Sequence, residues 1–368
     1  KFCEARMLKT LKPGTKPTSS DGRVTWKDHF VCSRDICLIK GNVVVVPAGA
    51  VKGTWKKTSS PYTVTGDIFV AKNQTLTIEP GVVVRFAGRF SMTVGYRATL
   101  RAVGTEQDTI LFTATDLQEG WTGIRFINSS TEDQLKYCTI EYAFKDRARD
   151  GGFQGLYGGA ILCASSEDDD PGYGLISGPA IDSCRIANNY AQTGGAIMCY
   201  AGGYATITNN VIVDNGADLD GGAIALYGTQ CTISNNVIVR NEATVGGGIM
   251  NWLSSPTIRN NTLVANRPAA MHLETTIIPG WPSVSVAIVN NIIWQNEIWM
   301  SESVGSNEYS IRYNDIQGGW TGTGNIAVDP LFADPENDDF HLKSQAGRWD
   351  PISKSWVLDS VTSPCIDA

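Results

Sequence analysis

Histidine is nearly missing from this chain: among 368 residues only His29, His272 and His341 occur. Chemistry that needs an imidazole therefore rests on very few positions. Charge is sparse as well. Charged residues make up 18% of the chain and sum to −7 at neutral pH, so no overall basic field exists to hold a nucleic-acid backbone or an anionic membrane surface. Nucleic acid is not an expected partner. An apolar run of about eighteen residues, the length that spans a bilayer as a helix, is absent; the strongest stretch, residues 43–51, is broken by Pro47 and Gly49. No membrane span is expected. Phosphate-binding loops, dinucleotide fingerprints and zinc-ligand spacings are lacking, and Cys32 and Cys37 have neither a second pair nor a neighbouring His. Lys1 is not an initiator Met and no signal-like apolar stretch follows it, which fits a processed or trimmed chain.

What the chain has in quantity is repetition, the feature to read before any local pattern. One phrase begins at Leu135 (Leu-Lys-Tyr-Cys-Thr-Ile) and Ile181 (Ile-Asp-Ser-Cys-Arg-Ile). It returns at Ile207 (Ile-Thr-Asn-Asn-Val-Ile), Ile233 (Ile-Ser-Asn-Asn-Val-Ile), Ile258 (Ile-Arg-Asn-Asn-Thr-Leu), Ile288 (Ile-Val-Asn-Asn-Ile-Ile) and Ile311 (Ile-Arg-Tyr-Asn-Asp-Ile). The steps are 46, 26, 26, 25, 30 and 23 residues, one solenoid coil per step with a long insertion in the first. Three residues into each phrase stand Cys138, Cys184, Asn210, Asn236, Asn261, Asn291 and Asn314; eight residues in stand Asn189, Asn215, Asn241, Asn266 and Asn296. Asparagine tolerates the left-handed backbone of a tight corner, and stacked amides can bond along the axis. Two corner ladders are therefore expected, with Ile140, Ile186, Ile212, Ile238, Leu263, Ile293 and Ile316 as an inward stack. A second strand follows each of several corners, starting at Gly159, Gly195, Gly222, Gly247 and Ala269. Paired glycines and β-branched residues at this density are poor helix formers.

Upstream the Asn phrase is missing, yet short strands and turns continue at Leu76, Val82, Leu100, Ile110 and Trp121. These phrases, followed by the Gly-Gly and Asn-Asn coils, resemble the bacterial right-handed parallel β-helix proteins that share the pectate-lyase fold. The tail, with Asp329-Pro-Leu-Phe-Ala-Asp-Pro and Ser363-Pro-Cys-Ile-Asp-Ala, is similar to the ending of such domains in large secreted and surface proteins. The resemblance implies an all-β solenoid over 62–328, a tail over 329–368 packing on the last coils, and a secreted or bacterial cell-surface location. Residues 1–61 differ in character and read as a cap over the open coil end, or else as a linker.

The resemblance supplies no catalytic set. Pectate lyases of this fold carry Trp-Ile-Asp-His and Arg-x-Pro-x-x-Arg phrases, and polygalacturonase-like members carry Asn-Thr-Asp and Gly-His-Gly; none of these occurs. Candidates must come from the residues themselves. Aligning coils sets Asp214 over Arg240, and Glu242, Arg267 and Glu297 in one stack, which reads as cross-coil ion pairing. Asp218 and Asp220 have no matched opposite charge and would suit acid–base work as a carboxylate pair. The insertion over 165–174 holds Asp168, Asp169 and Asp170 beside Glu167; it is either a solvated loop or a calcium site, though the spacing matches no calcium-loop consensus. If Ile197, Ile224 and Ile249 point inward, alternation sends Tyr200, Tyr227 and Trp252 outward in one column that continues to Glu274, with His272 in the next. Flat aromatic faces stack on sugar rings, while the plain alternative is packing under loops. His272 and Glu274 then form the expected proton-transfer pair.

Two functions stay open at this level. One is recognition of an extracellular polysaccharide or cell-surface glycan, with lyase or hydrolase chemistry within reach; the other is a non-catalytic structural or adhesin-like module that stacks head to tail. For sulfur, the matched positions of Cys138 with Cys184 and of Cys163 with Cys199 predict stacked free thiols in the coils, leaving Cys3, Cys32 and Cys37 for any disulfide.

Overall fold

The computed structural model describes residues 43–146, 156–165, 178–274, 283–301 and 308–366, together with three short strands, Thr25–Trp26, Phe30–Val31 and Cys37–Ile39. The chain is a right-handed parallel β-helix. Each coil contributes one strand to each of three parallel sheets. Sheet I runs from Val43–Val46 to Asp315–Ile316, sheet II from Gly49–Val51 to Ile298–Met300, and sheet III from Gly53–Trp55 to Glu308–Arg312. The first coil precedes residue 62: Val43–Val46 pairs in parallel with Tyr62–Val64, and Gly49–Val51 with Ile68–Val70. No Asn phrase marks that coil, since its corners turn on glycine.

The apolar stack lies at the positions the repeat predicts. Ile140, Ile186, Ile212, Ile238, Leu263, Ile293 and Ile316 pair one above another in sheet I, and all are buried. Each such side chain contributes about 1.5–3 kcal/mol by leaving water. In the early coils the same row runs through Phe112, Val84 and Tyr62, and beside it in the core Trp121 stacks on Phe86 at 4.2 Å between centroids and 13° between planes.

Both asparagine ladders form, inside the corners. Asn210 Nδ2 donates to Asn236 Oδ1 at 3.0 Å, Asn236 to Asn261 at 2.9 Å and Asn261 to Asn291 at 3.0 Å; the second ladder runs from Asn189 through Asn215 and Asn241 to Asn266. Each Oδ1 also accepts the backbone N–H of the coil before it, as Asn236 does from Asn210 at 2.9 Å. The left-handed conformation belongs to the residue before the ladder: Asn209, Asn235, Asn260 and Asn290 have φ between 56° and 58°. In the Asn-Asn pair the first residue makes the turn and the second seals it, so the expectation that one residue does both is corrected.

Sulfur follows the expectation for the coils. Cys138, Cys163, Cys184, Cys199 and Cys231 are buried and free, Cys163 pairs with Cys199 in register, and the Cys138 N–H donates to Cys184 Sγ at 3.4 Å. Cys3, Cys32 and the side chain of Cys37 lie outside the described residues. The tail folds back over the outer face of sheet I, where Phe332 packs with Ala187, Val213, Val239 and Val264.

Candidate functional site

Strand register builds the candidate wall on sheet II. Tyr200, Tyr227, Trp252 and Glu274 are neighbours on successive coils, and Met198, Ala225, Met250 and His272 form the parallel column two residues upstream. The second column is not open to water. Met198 and Ala225 are fully buried and Met250 is 5% exposed, because Tyr157, Tyr200, Tyr227, Val245 and Trp252 close over them as a separate apolar cluster. The outward face of this sheet is therefore a second small core. Between sheets I and II the chain makes a further excursion, strands Tyr190–Thr193 and Gly216–Asp220, that flanks the wall. It re-enters sheet II through Gly221, at φ +63°, where a Cβ would lie 2.4 Å from the Ile224 carbonyl oxygen.

The aromatic rings are turned on one another. Tyr200 lies nearly parallel to Tyr157, with centroids 6.3 Å apart and 17° between planes, and Tyr227 tilts against Trp252 at 5.2 Å and 52°. All three column aromatics are half-buried. Half covered and paired in this way, they do not form a row of free flat platforms.

Asp218 and Asp220 serve different neighbours. Tyr190 Oη donates to Asp218 Oδ1, in a groove of about 700 Å³ that also holds Arg240 and Glu242. On the sheet II side, Tyr227 Oη donates to Asp220 Oδ2 at 2.6 Å. The Asp218 hydrogen bond, followed by burial, pushes the Tyr190 phenol up to about 12. Burial first and the Asp220 carboxylate second raise Tyr227 well above the ordinary tyrosine range. Both hydroxyls stay protonated at neutral pH and act as donors. The spacing of two aspartates two residues apart in sequence does not reveal this division, which comes from the register shift between the two excursion strands.

At the other end, His272 Nε2 stands 3.8 Å from Glu274 Oε2. Glu274 Oε1 accepts a hydrogen bond from Ser301 Oγ at 2.7 Å, and its backbone oxygen accepts one from Tyr309 Oη at 3.4 Å. His272 Nδ1 is buried and has no hydrogen-bond partner among the described residues. Ser301 and Tyr309 escaped the sequence reading, although Ser301 follows Glu274 by 27 residues, one further coil. Asp168, Asp169 and Asp170 lie outside the described residues, and among those described no group of three or more His, Cys, Asp or Glu is arranged to hold a metal ion.

The expected ion pairing holds in part. Arg240 Nε meets Asp214 at 2.9 Å and its Nη1 meets Asp338 of the tail at 2.5 Å. Glu242 and Arg267 are register neighbours, but among the described residues neither takes part in an ion pair.

A family model described as "Disaggregatase related" matches residues 223–368. No curated protein matches the chain. Among solved structures the chain is similar to a mannuronic-acid-specific polysaccharide family 6 lyase from the human gut microbiota, at 12% identity and TM-score 0.27, with 77% of each chain covered. It is also similar to a double mutant of the periplasmic alginate epimerase AlgG, at 12% identity and TM-score 0.25, covering 85% of this chain and 73% of that one.

Proposed function

We propose that this β-helix binds an extracellular polysaccharide along the outer wall of sheet II and transfers protons at its His272 end. The observation that carries the reading is His272 itself, with one ring nitrogen buried and unpartnered among the described residues and the other facing Glu274 across 3.8 Å. Leaving a buried polar atom without a partner costs about 1–3 kcal/mol, a cost that stability alone gives no reason to retain. With Nδ1 closed off, the exchange with substrate falls to Nε2, on the Glu274 side of a ring that is 16% exposed. In this reading Trp252 and Tyr227 contact sugar rings with their open edges and faces, Asp220 holds the Tyr227 hydroxyl, and His272 with Glu274 moves the proton that lyase or hydrolase chemistry requires. A secreted or cell-surface location goes with it.

The test is a glycan array with product analysis on acidic and neutral polysaccharides. The parent should bind at least one polysaccharide class, His272→Ala should keep binding and lose turnover, and Tyr227→Ala with Trp252→Ala should lose binding. Retained turnover in His272→Ala would remove its catalytic role. A second reading, a non-catalytic surface module, is favoured by one observation: Trp349, Ile352, Trp356 and Leu358 are 46%, 76%, 66% and 72% exposed on and beside the tail hairpin Arg348–Asp350 and Ser355–Val357. Exposed apolar groups this close together are a common mark of contact with another protein.

A further inference from the structure

On a chain with a net charge of −7, one edge of the solenoid is basic. Where sheet II turns into sheet III, the first three coils carry one exposed cation each, Lys52, Lys72 and Arg97. Among the described residues none of the three takes part in an ion pair. Two of them share an aromatic ring instead: Lys72 Nζ is 4.5 Å from the Tyr96 centroid and the Arg97 guanidinium 5.2 Å. An exposed ring contact of this kind is worth about 0.5–1 kcal/mol, enough to favour one arrangement of two long side chains. Register fixes the corners relative to one another, since Val51, Val70 and Val94 are stacked partners immediately before them. Lys52, Lys72 and Arg97 lie one, two and three residues past that row, so they step around the corner as the coils rise by about 4.8 Å each.

The corner is continuous with the proposed binding wall. The row containing Val51, Val70 and Val94 runs on through Phe126, Cys163, Cys199 and Leu226; one residue after Val51 is Lys52, and one after Cys199 and Leu226 are Tyr200 and Tyr227. Lys52 thus heads the column in which the aromatics stand. Phe69, 45% exposed, adds an apolar face on sheet II beside it.

We infer that this corner is a docking surface for an acidic polysaccharide, with carboxylate or sulfate groups meeting Lys52, Lys72 and Arg97 and a sugar ring lying against Phe69. The inference rests on the polysaccharide reading above and adds the polymer's charge and a second place that holds it. Charge complementarity is local here, three cations on an acidic body. A polymer with about one charge per 1.7 Å, as duplex DNA has, meets strong repulsion from the rest of the surface, whereas one charge per sugar unit roughly matches the coil rise. Exposed charges act over about 10 Å at 0.1 M salt, so the contact should weaken as salt rises.

The test measures Kd of the full chain for polygalacturonate, alginate and hyaluronan at low and high salt. Uncharged arabinoxylan, oligo(dT) and phosphatidylserine vesicles are measured in parallel. Lys72→Glu with Arg97→Glu should weaken acidic-polysaccharide binding at least tenfold at low salt, leave arabinoxylan unchanged and leave the thermal midpoint unchanged; Lys72→Gln with Arg97→Gln serves if the reversal fails to fold. The inference is overturned if the variant binds acidic polysaccharides like the parent. It is also overturned if oligo(dT) or vesicles bind the parent more tightly. Loss in Tyr227→Ala with Trp252→Ala but not in the corner variant overturns the corner and leaves the wall standing. Loss in the corner variant alone supports the corner and removes the wall. A parent that binds no polysaccharide ends both.

Discussion

At the scale of single residues, the strongest effects belong to polar groups sealed inside the coils. Asp133 is fully buried; its Oδ1 accepts the Leu100 N–H at 2.6 Å, while Oδ2 has no partner among the described residues. Burial raises this carboxyl from 3.8 to about 7, against the smaller opposing effects of Ser129 and the Leu100 N–H. A raised acid pKa means that the folded state holds the proton longer than the unfolded one, so stability from this group is complete below about pH 4 and falls as pH rises towards 7. The full span is worth about 4 kcal/mol. Urea unfolding at pH 5 and pH 8 should show the parent losing stability between them, and Asp133→Asn should remove most of that loss; an unchanged slope would show that the carboxyl is not the source. The ladder makes a second residue-scale prediction. Asn236→Ala takes away the acceptor shared by the Asn210 N–H and side-chain amide and the donor to Ile207 O, so two donors and one acceptor are left buried and unpaired. At about 1–3 kcal/mol for each such group, the loss should reach about 3 kcal/mol or more, read as a lower urea midpoint.

Among elements, the tail on sheet I separates packing from charge. Phe332 is 7% exposed against four buried aliphatic residues, whereas the Arg240 side chain, which ties Asp214 to Asp338, is 40% exposed. Solvent-screened ion pairs contribute about 0–1 kcal/mol each, and truncating a buried Phe costs about 3–5. Limited proteolysis should therefore release the tail readily from Phe332→Ala and barely change for Arg240→Ala. Equal sensitivity would mean that the ion pairs hold the tail as firmly as the aromatic contact does. Much of this element's behaviour was hidden in sequence. Val213, Val239 and Val264 each follow an inward residue of the stack and so face away from the core, and only the fold-back shows why that outward face is apolar. The same holds on sheet II. Alternation turns Met198, Ala225 and Met250 out of the main core, yet Tyr157, Val245 and the column aromatics close over them and make those positions a second core.

For the molecule as a whole, each coil touches mainly its two neighbours, so cohesion is a sum of coil-to-coil contacts rather than one central packing event. The coil thiols report on that sum: Cys138, Cys163, Cys184, Cys199 and Cys231 should stay silent to a thiol reagent in the native state and all react after unfolding. Early reaction of any of them would mean that its coil opens alone. The repeat alone determined the architecture, the inward isoleucine stack, the two ladders and the stacked cysteines. Coil period and strand alternation are local regularities, and a solenoid converts sequence interval directly into position along its axis. What lies between coils follows no such rule. The division of Asp218 and Asp220 between two tyrosines, the rings turned on one another, the His272 nitrogen left without a partner among the described residues and the face on which the tail docks depend on excursions of irregular length folding over the sheets. Those contacts join residues with no common period, and only the tertiary structure brings them together.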